Sequence, residues 1–187
     1  MGSFVAQQLT LMHSEKVTRL ILLGASCGGK DSVPQSPQLV KTAFDFANKI
    51  VNHIPITLQE VKTLLSFSLG SAWIKLHPNS LETIPKAKDL FVGIPPNTQK
   101  EQIYMSENWM ATNWSGICNE LPKISIPTLV ITGTDDNDVP TANSLIIAGK
   151  IPGAWLVQIK DAGHVLFMQY PDKVNNLLQV FLSTTAG

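Results

Sequence analysis

The sequence predicts an α/β fold: a three-layer α/β/α arrangement of about three parallel strands, with a helical insertion after the first strand. Three observations lead there. β-rich apolar runs stand at residues 17–23 (VTRLILL), 126–132 (IPTLVIT) and 154–159 (AWLVQI). Helical patterns alternate with them over short connections, and that succession pairs strands in parallel with helices packed on the sheet. Residues 35–120, between the first two runs, carry helical signals and no strand signal.

Each element has its own reason. Phe4, Val5, Leu9 and Met12 recur at helical spacing with Gln7, Gln8 and Thr10 between them, so residues 2–13 read as a helix that opens with no polar lead-in. The run at 17–23 is nearly continuous in apolar residues, as in a strand covered on both faces, and Gly24-Ala25-Ser26-Cys27-Gly28-Gly29 ends it. Residues 30–37 are polar and proline-containing, which reads as loop. Ser36-Pro37 opens a helix bearing Leu39, Val40, Phe44 and Phe46. Thr57 and Glu60 have capping-box spacing ahead of Val61, Leu64, Leu65 and Phe67. Trp73, Ile74 and Leu76 extend that hydrophobic surface until His77-Pro78-Asn79, and a further helix carries Ile103, Tyr104, Trp109 and Trp114. After the second strand, residues 143–150 form a short helix with Leu145, Ile146 and Ile147. The last helix starts near Pro171 and Asp172, both favourable in a first turn, and aligns Val174, Leu177, Leu178 and Phe181.

Composition narrows the function. At 187 residues, 44% of them hydrophobic and 15% charged, the chain can bury a core and is not disordered. Basic and acidic side chains number 14 each, with no block of like charge, so neither nucleic acid nor an anionic membrane surface is an expected partner. No apolar run reaches the length of a membrane span. Cys27 and Cys118 make no metal-ligand pattern and read as two free buried thiols, a disulfide between them being the other possibility. No cofactor or metal is expected, and location defaults to the cytoplasm.

Two residues stand where a parallel sheet places its chemistry, in loops just past strand ends. Asp136 follows the second strand within Gly133-Thr134-Asp135-Asp136-Asn137-Asp138-Val139-Pro140, and His164 follows the third within Asp161-Ala162-Gly163-His164. Adjacent strands bring these loops together, and the 28-residue separation leaves room for one helix and one strand. A carboxylate bonded to one ring nitrogen fixes the imidazole tautomer and leaves the other nitrogen free to take a proton from a nucleophile.

On these residues the last third resembles the α/β-hydrolase superfamily, particularly its cap-bearing esterase, lipase and peptidase-like members. The resemblance runs from Ile124 through Gly133, the acid loop and Pro140, then Ile151-Pro152-Gly153-Ala154, Gly163-His164 and Tyr170-Pro171. The acid follows the glycine by three positions in that family, which selects Asp136 over Asp135 and Asp138. The resemblance implies residues 1–34 as the helix behind the nucleophile elbow and the next strand, 35–120 as a helical cap, and 121–187 as the C-terminal core. It implies a hydrolase of an ester, amide or related carbonyl compound, acting on a largely apolar small molecule through a nucleophile–His164–Asp136 triad.

The nucleophile itself is expected just before Met1, because residues 1–7 (MGSFVAQ) resemble the stretch directly after the elbow serine of G-x-S-x-G. The chain alone is then expected to be inactive. An aspartate at that place would turn the chemistry towards epoxides or halides. Gly24-Ala25-Ser26-Cys27-Gly28 is a literal G-x-S-x-G, but residues 29–34 do not start a helix, so Ser26 stays the lesser alternative. A non-catalytic binding protein is the competing class, and self-association through an exposed sheet edge is expected. His13, His53 and His77 read as surface residues, Asp135 and Asp138 as solvated or capping. Trp73, Trp109 and Trp114 read as packing the insertion on the sheet rather than lining a pocket, and Trp155 as core.

Overall fold

The computed structural model describes residues 1–82 and 95–184. Along the chain run α1 (Gly2–Met12), β1 (Leu20–Leu23), α2 (Pro37–Val51), α3 (Leu58–Leu69), α4 (Ser71–Leu76) and α5 (Pro96–Met110). They continue as β2 (Thr128–Gly133), α6 (Ala142–Lys150), β3 (Trp155–Ile159), α7 (Leu166–Gln169) and α8 (Pro171–Ser183). The three strands form one sheet in the order β1-β2-β3, and both pairings are parallel. Among the described residues, everything between β1 and β2 is helix, turn or loop; residues 83–94 of the expected insertion lie outside the described residues.

The middle strand explains the layers. All six residues of β2 are buried, and their side chains alternate between two cores. Val130 joins Leu20, Leu22 and Ile147 on one face, with α1 and α6 above them. Leu129 and Ile131 join Ile159, Leu166, Val174 and Phe181 on the other, under α7 and α8. Strand β1 is shorter than the apolar run 17–23: the Val17 N–H bonds back to Ser14 in a tight turn, and the ladder begins where Leu20 N donates to Pro127 O at 3.0 Å.

Trp155 departs from its expected core position. It is 44% exposed, because β3 ends the sheet among the described residues; Phe181 meets the ring edge-on at 5.6 Å. Phe4 points inward on α1, whereas Val5, Leu9 and Met12 are exposed. Gln7 is fully buried and donates to Ser3 O and Ser26 O, at 2.9 and 3.0 Å.

The excursion from β1 to β2 leaves and returns at one point. Cys27 and Cys118, expected as free thiols, are instead disulfide-bonded with Cα atoms 5.0 Å apart. Their separation of 91 residues hides this in the sequence, since only the folded excursion closes the distance. Beside the bridge, Ile117 N donates to Cys27 O, and Gly29 and Gly116 both have positive φ. A Cβ on Gly29 would lie 2.1 Å from Gly116 N, so the two backbones meet only because neither carries a side chain. The helix starts behave as their sequences predict. Ser36 Oγ accepts from Leu39 N, and Thr57 and Glu60 form both halves of the capping box. No described helix is long and apolar enough to cross a membrane.

Candidate active site

Asp136 and His164 are brought together above the C-terminal ends of all three strands. The loop after β2 is locked to the loop after β3 by Thr134 N donating to Ile159 O (3.0 Å) and Asp135 N to Ala162 O (2.9 Å). Within the acid loop, Val139 N donates to Asp136 Oδ1 at 2.8 Å, which aims the other carboxylate oxygen at the histidine. His164 Nδ1 then lies 3.0 Å from Asp136 Oδ2. The Asp136 side chain is fully covered, while 30% of the His164 side chain remains exposed. The end of β1 closes the third side: a Cβ on Gly24 would sit 2.7 Å from His164 Nδ1, so the pair requires glycine there.

The electrostatics suit a base. Burial alone would lower the His164 pKa, but the Asp136 hydrogen bond and the Asp136 and Asp138 charges outweigh it and leave it raised; the Met1 amino group acts against them. Asp138 is held above its ordinary range by burial, with the Asp136 charge in the same direction, against the pull of His164 and the Ser68 hydroxyl.

A cavity of about 420 Å³ opens beside His164. Phe4, Leu39, Leu65, Ile103, Met110 and Val139 give it apolar walls from α1, α2, α3, α5 and the acid loop. Asp138 and Glu107 also line it, the latter with a pKa raised by burial. Met1 lines this cavity and a smaller one that also reaches His164.

The remaining candidates fall elsewhere. Ser26 is fully buried, its Oγ accepts from Gly28 N at 3.0 Å, and it lines neither cavity at His164. Trp109 stacks on Phe4 at 4.7 Å and Trp114 meets Trp109 edge-on, so both pack the insertion onto α1. Trp73 stacks on His77 at 4.3 Å, and none of the three lines the 420 Å³ cavity. His13, His53 and His77 are exposed. Among the described residues no three metal-ligating side chains converge.

Asp135 caps α4 from across the fold, accepting from Ala72 N (2.8 Å) and Ser71 Oγ (3.1 Å). Asp138, expected to be solvated or capping, is only partly exposed, accepts the Ser68 hydroxyl and faces the cavity. Its presence beside His164 is within reach of the sequence, two positions past the acid; its partner Ser68, 70 residues earlier, is not.

Comparison with known proteins identifies the fold family. A model of the alpha/beta hydrolase fold family matches residues 1–171. A 2-hydroxy-6-oxononadienedioate/2-hydroxy-6-oxononatrienedioate hydrolase of Pseudomonas sp. is 26% identical over 98% of the chain, which spans 60% of that relative's length. A solved N-acyl homoserine lactone degrading enzyme is 26% identical, with a TM-score of 0.68 over 96% of this chain and 64% of its own. The 2-hydroxy-6-oxo-6-phenylhexa-2,4-dienoate hydrolase of Rhodococcus sp. strain RHA1 shares the fold at 21% identity, with a TM-score of 0.72 over 98% of this chain and 62% of its own.

Proposed function

The chain belongs to the α/β-hydrolase fold family, and from that membership we propose that it carries the acid and base of a hydrolase acting on an ester, amide or related carbonyl substrate. The observation that supports this most is the 3.0 Å contact between His164 Nδ1 and a fully covered Asp136 carboxylate, set beside a cavity of substrate size. Asp136 holds the Nδ1–H tautomer and stabilises the imidazolium; His164 takes the nucleophile's proton and returns it to the leaving group.

The nucleophile, in this reading, is the residue immediately before Met1 in a longer product. One feature favours that place: Met1 lines both cavities that reach His164. Residues 35–120 serve as a cap over the site, and the chain beginning at Met1 is inactive by itself. The substrate is uncharged and largely apolar. The described cavity lining contains the carboxyl groups of Asp138 and Glu107 and no Lys or Arg, a poor match for a dienedioate such as the Pseudomonas relative's name describes.

The test is to sequence upstream of Met1 and express the in-frame product. A serine preceding Met1 should be labelled by a fluorophosphonate in the longer protein, which should hydrolyse neutral acyl esters faster than carboxylate-bearing ones. The 187-residue chain should neither hydrolyse nor label. Labelling of Ser26 in the shorter chain would overturn the assignment, and an aspartate before Met1 would replace ester chemistry with epoxide or halide chemistry.

A further inference from the structure

The junction between α3 and α4 touches both loops that carry the Asp136–His164 pair. Ser68 O accepts from His164 N at 2.7 Å and from Val165 N at 3.3 Å. The Ser68 hydroxyl donates to Asp138 Oδ2. One residue on, Leu69 O accepts from Gln169 Nε2 at 2.8 Å, and Gln169 Oε1 accepts from Gly163 N at 2.8 Å. Beyond the junction, Asp135 of the acid loop holds the first turn of α4. The packing leaves no slack: a Cβ on Gly163 would lie 2.3 Å from Ser68 O and 2.5 Å from Leu69 C.

We propose that residues 68–72 form a clamp that joins the insertion to both loops, and that Ser68 and Asp138 are positioning residues for His164, acting in addition to Asp136. Ser68 fixes the histidine backbone through its carbonyl and orients Asp138 through its hydroxyl. Asp138 then presents a second carboxylate to the cavity that His164 lines. Leu64, Leu65 and Ser68 of α3 line that cavity too, so a ligand that shifts α3 moves the histidine loop with it. The clamp's catalytic meaning rests on His164 acting as base; its geometry does not.

The groups whose charges act on His164 are Asp136, Asp138 and the Met1 amino terminus, and Glu107 lines the same cavity. The test is an NMR titration of the His164 ring in the 187-residue chain and in S68A, S68T, D138N and D136N variants. D138N keeps the side-chain shape and removes the charge, so it should lower the midpoint by about one pH unit. S68A should lower it by less, through a carboxylate that has lost its donor, and S68T should restore it. A D138N midpoint equal to the unsubstituted chain's, or S68T no better than S68A, overturns the clamp. D136N separates the two proposals: if it alone lowers the midpoint, the pair stands and the clamp falls. If D138N lowers it, the clamp stands whatever the longer protein hydrolyses.

Discussion

At the scale of single residues, the pair has a stability signature that needs no substrate. The His164 pKa is raised from its ordinary 6.5 because the hydrogen bond and charge of Asp136 and the charge of Asp138 outweigh burial. A group whose folded pKa is raised contributes fully below its ordinary value and loses that contribution as pH rises through the folded one. Thermal midpoints should therefore fall as pH climbs from about 6.5 through the folded His164 midpoint. Asp138, raised from 3.8, adds the same sign of slope in a more acidic window. D136N should flatten the upper part of this dependence. A D136N curve parallel to the unsubstituted one across that window would show that the 3.0 Å contact is not a working hydrogen bond. If the longer product proposed above carries the triad, the same change should cut its kcat by about 10⁴-fold, through loss of the tautomer. Asp136 and His164 were legible as candidates because both follow strand ends, and a glycine three positions upstream further marks Asp136. The Asp138–Ser68 contact was not, since it depends on where the insertion folds back onto the sheet.

Among elements, the excursion between β1 and β2 is tied at its neck. Cys27 follows the strand, Cys118 precedes the return, and the glycines beside them let the two backbones touch. The helices above need that tie: Trp109 O accepts from Gly29 N and Trp114 O from Lys30 N, so α5 is anchored through the same few residues. Removing the cross-link in a C27S/C118S chain should cost about 2–4 kcal/mol, read as a lower denaturant midpoint, and dithiothreitol should act alike on the unsubstituted chain. Free thiols in the unreduced, folded protein would remove the premise. Element types were legible here, from periodicity and caps such as Ser36-Pro37 and Thr57–Glu60. Their three-dimensional neighbours were not, because cysteines 91 residues apart carry no local sign of pairing. Trp155 failed as a core residue for a related reason. Its apolar strand pattern is real, but strand order puts β3 at the sheet's edge.

For the whole molecule, the surface left open by this topology sets how the chain behaves alone. Strand β1 pairs only with β2 among the described residues, leaving its other edge as unpaired backbone. Beside it, α1 exposes Val5 (61%), Leu9 (43%) and Met12 (69%) in one stripe. Trp155 and Leu156 are exposed on β3, at the opposite edge. Apolar side chains next to an open strand edge favour pairing with a second chain. Relatives that the chain matches over nearly its whole length are longer, the chain spanning about 60% of them. The 187-residue chain should then sediment as dimers or larger species at micromolar concentration and bind a hydrophobic dye. A charge in the stripe, as in V5E or L9E, should shift it towards monomer without lowering its melting temperature, since neither side chain is in the core. A monodisperse, dye-silent monomer with a cooperative transition would mean that the open edges are tolerated, and that the face on α1 needs no cover.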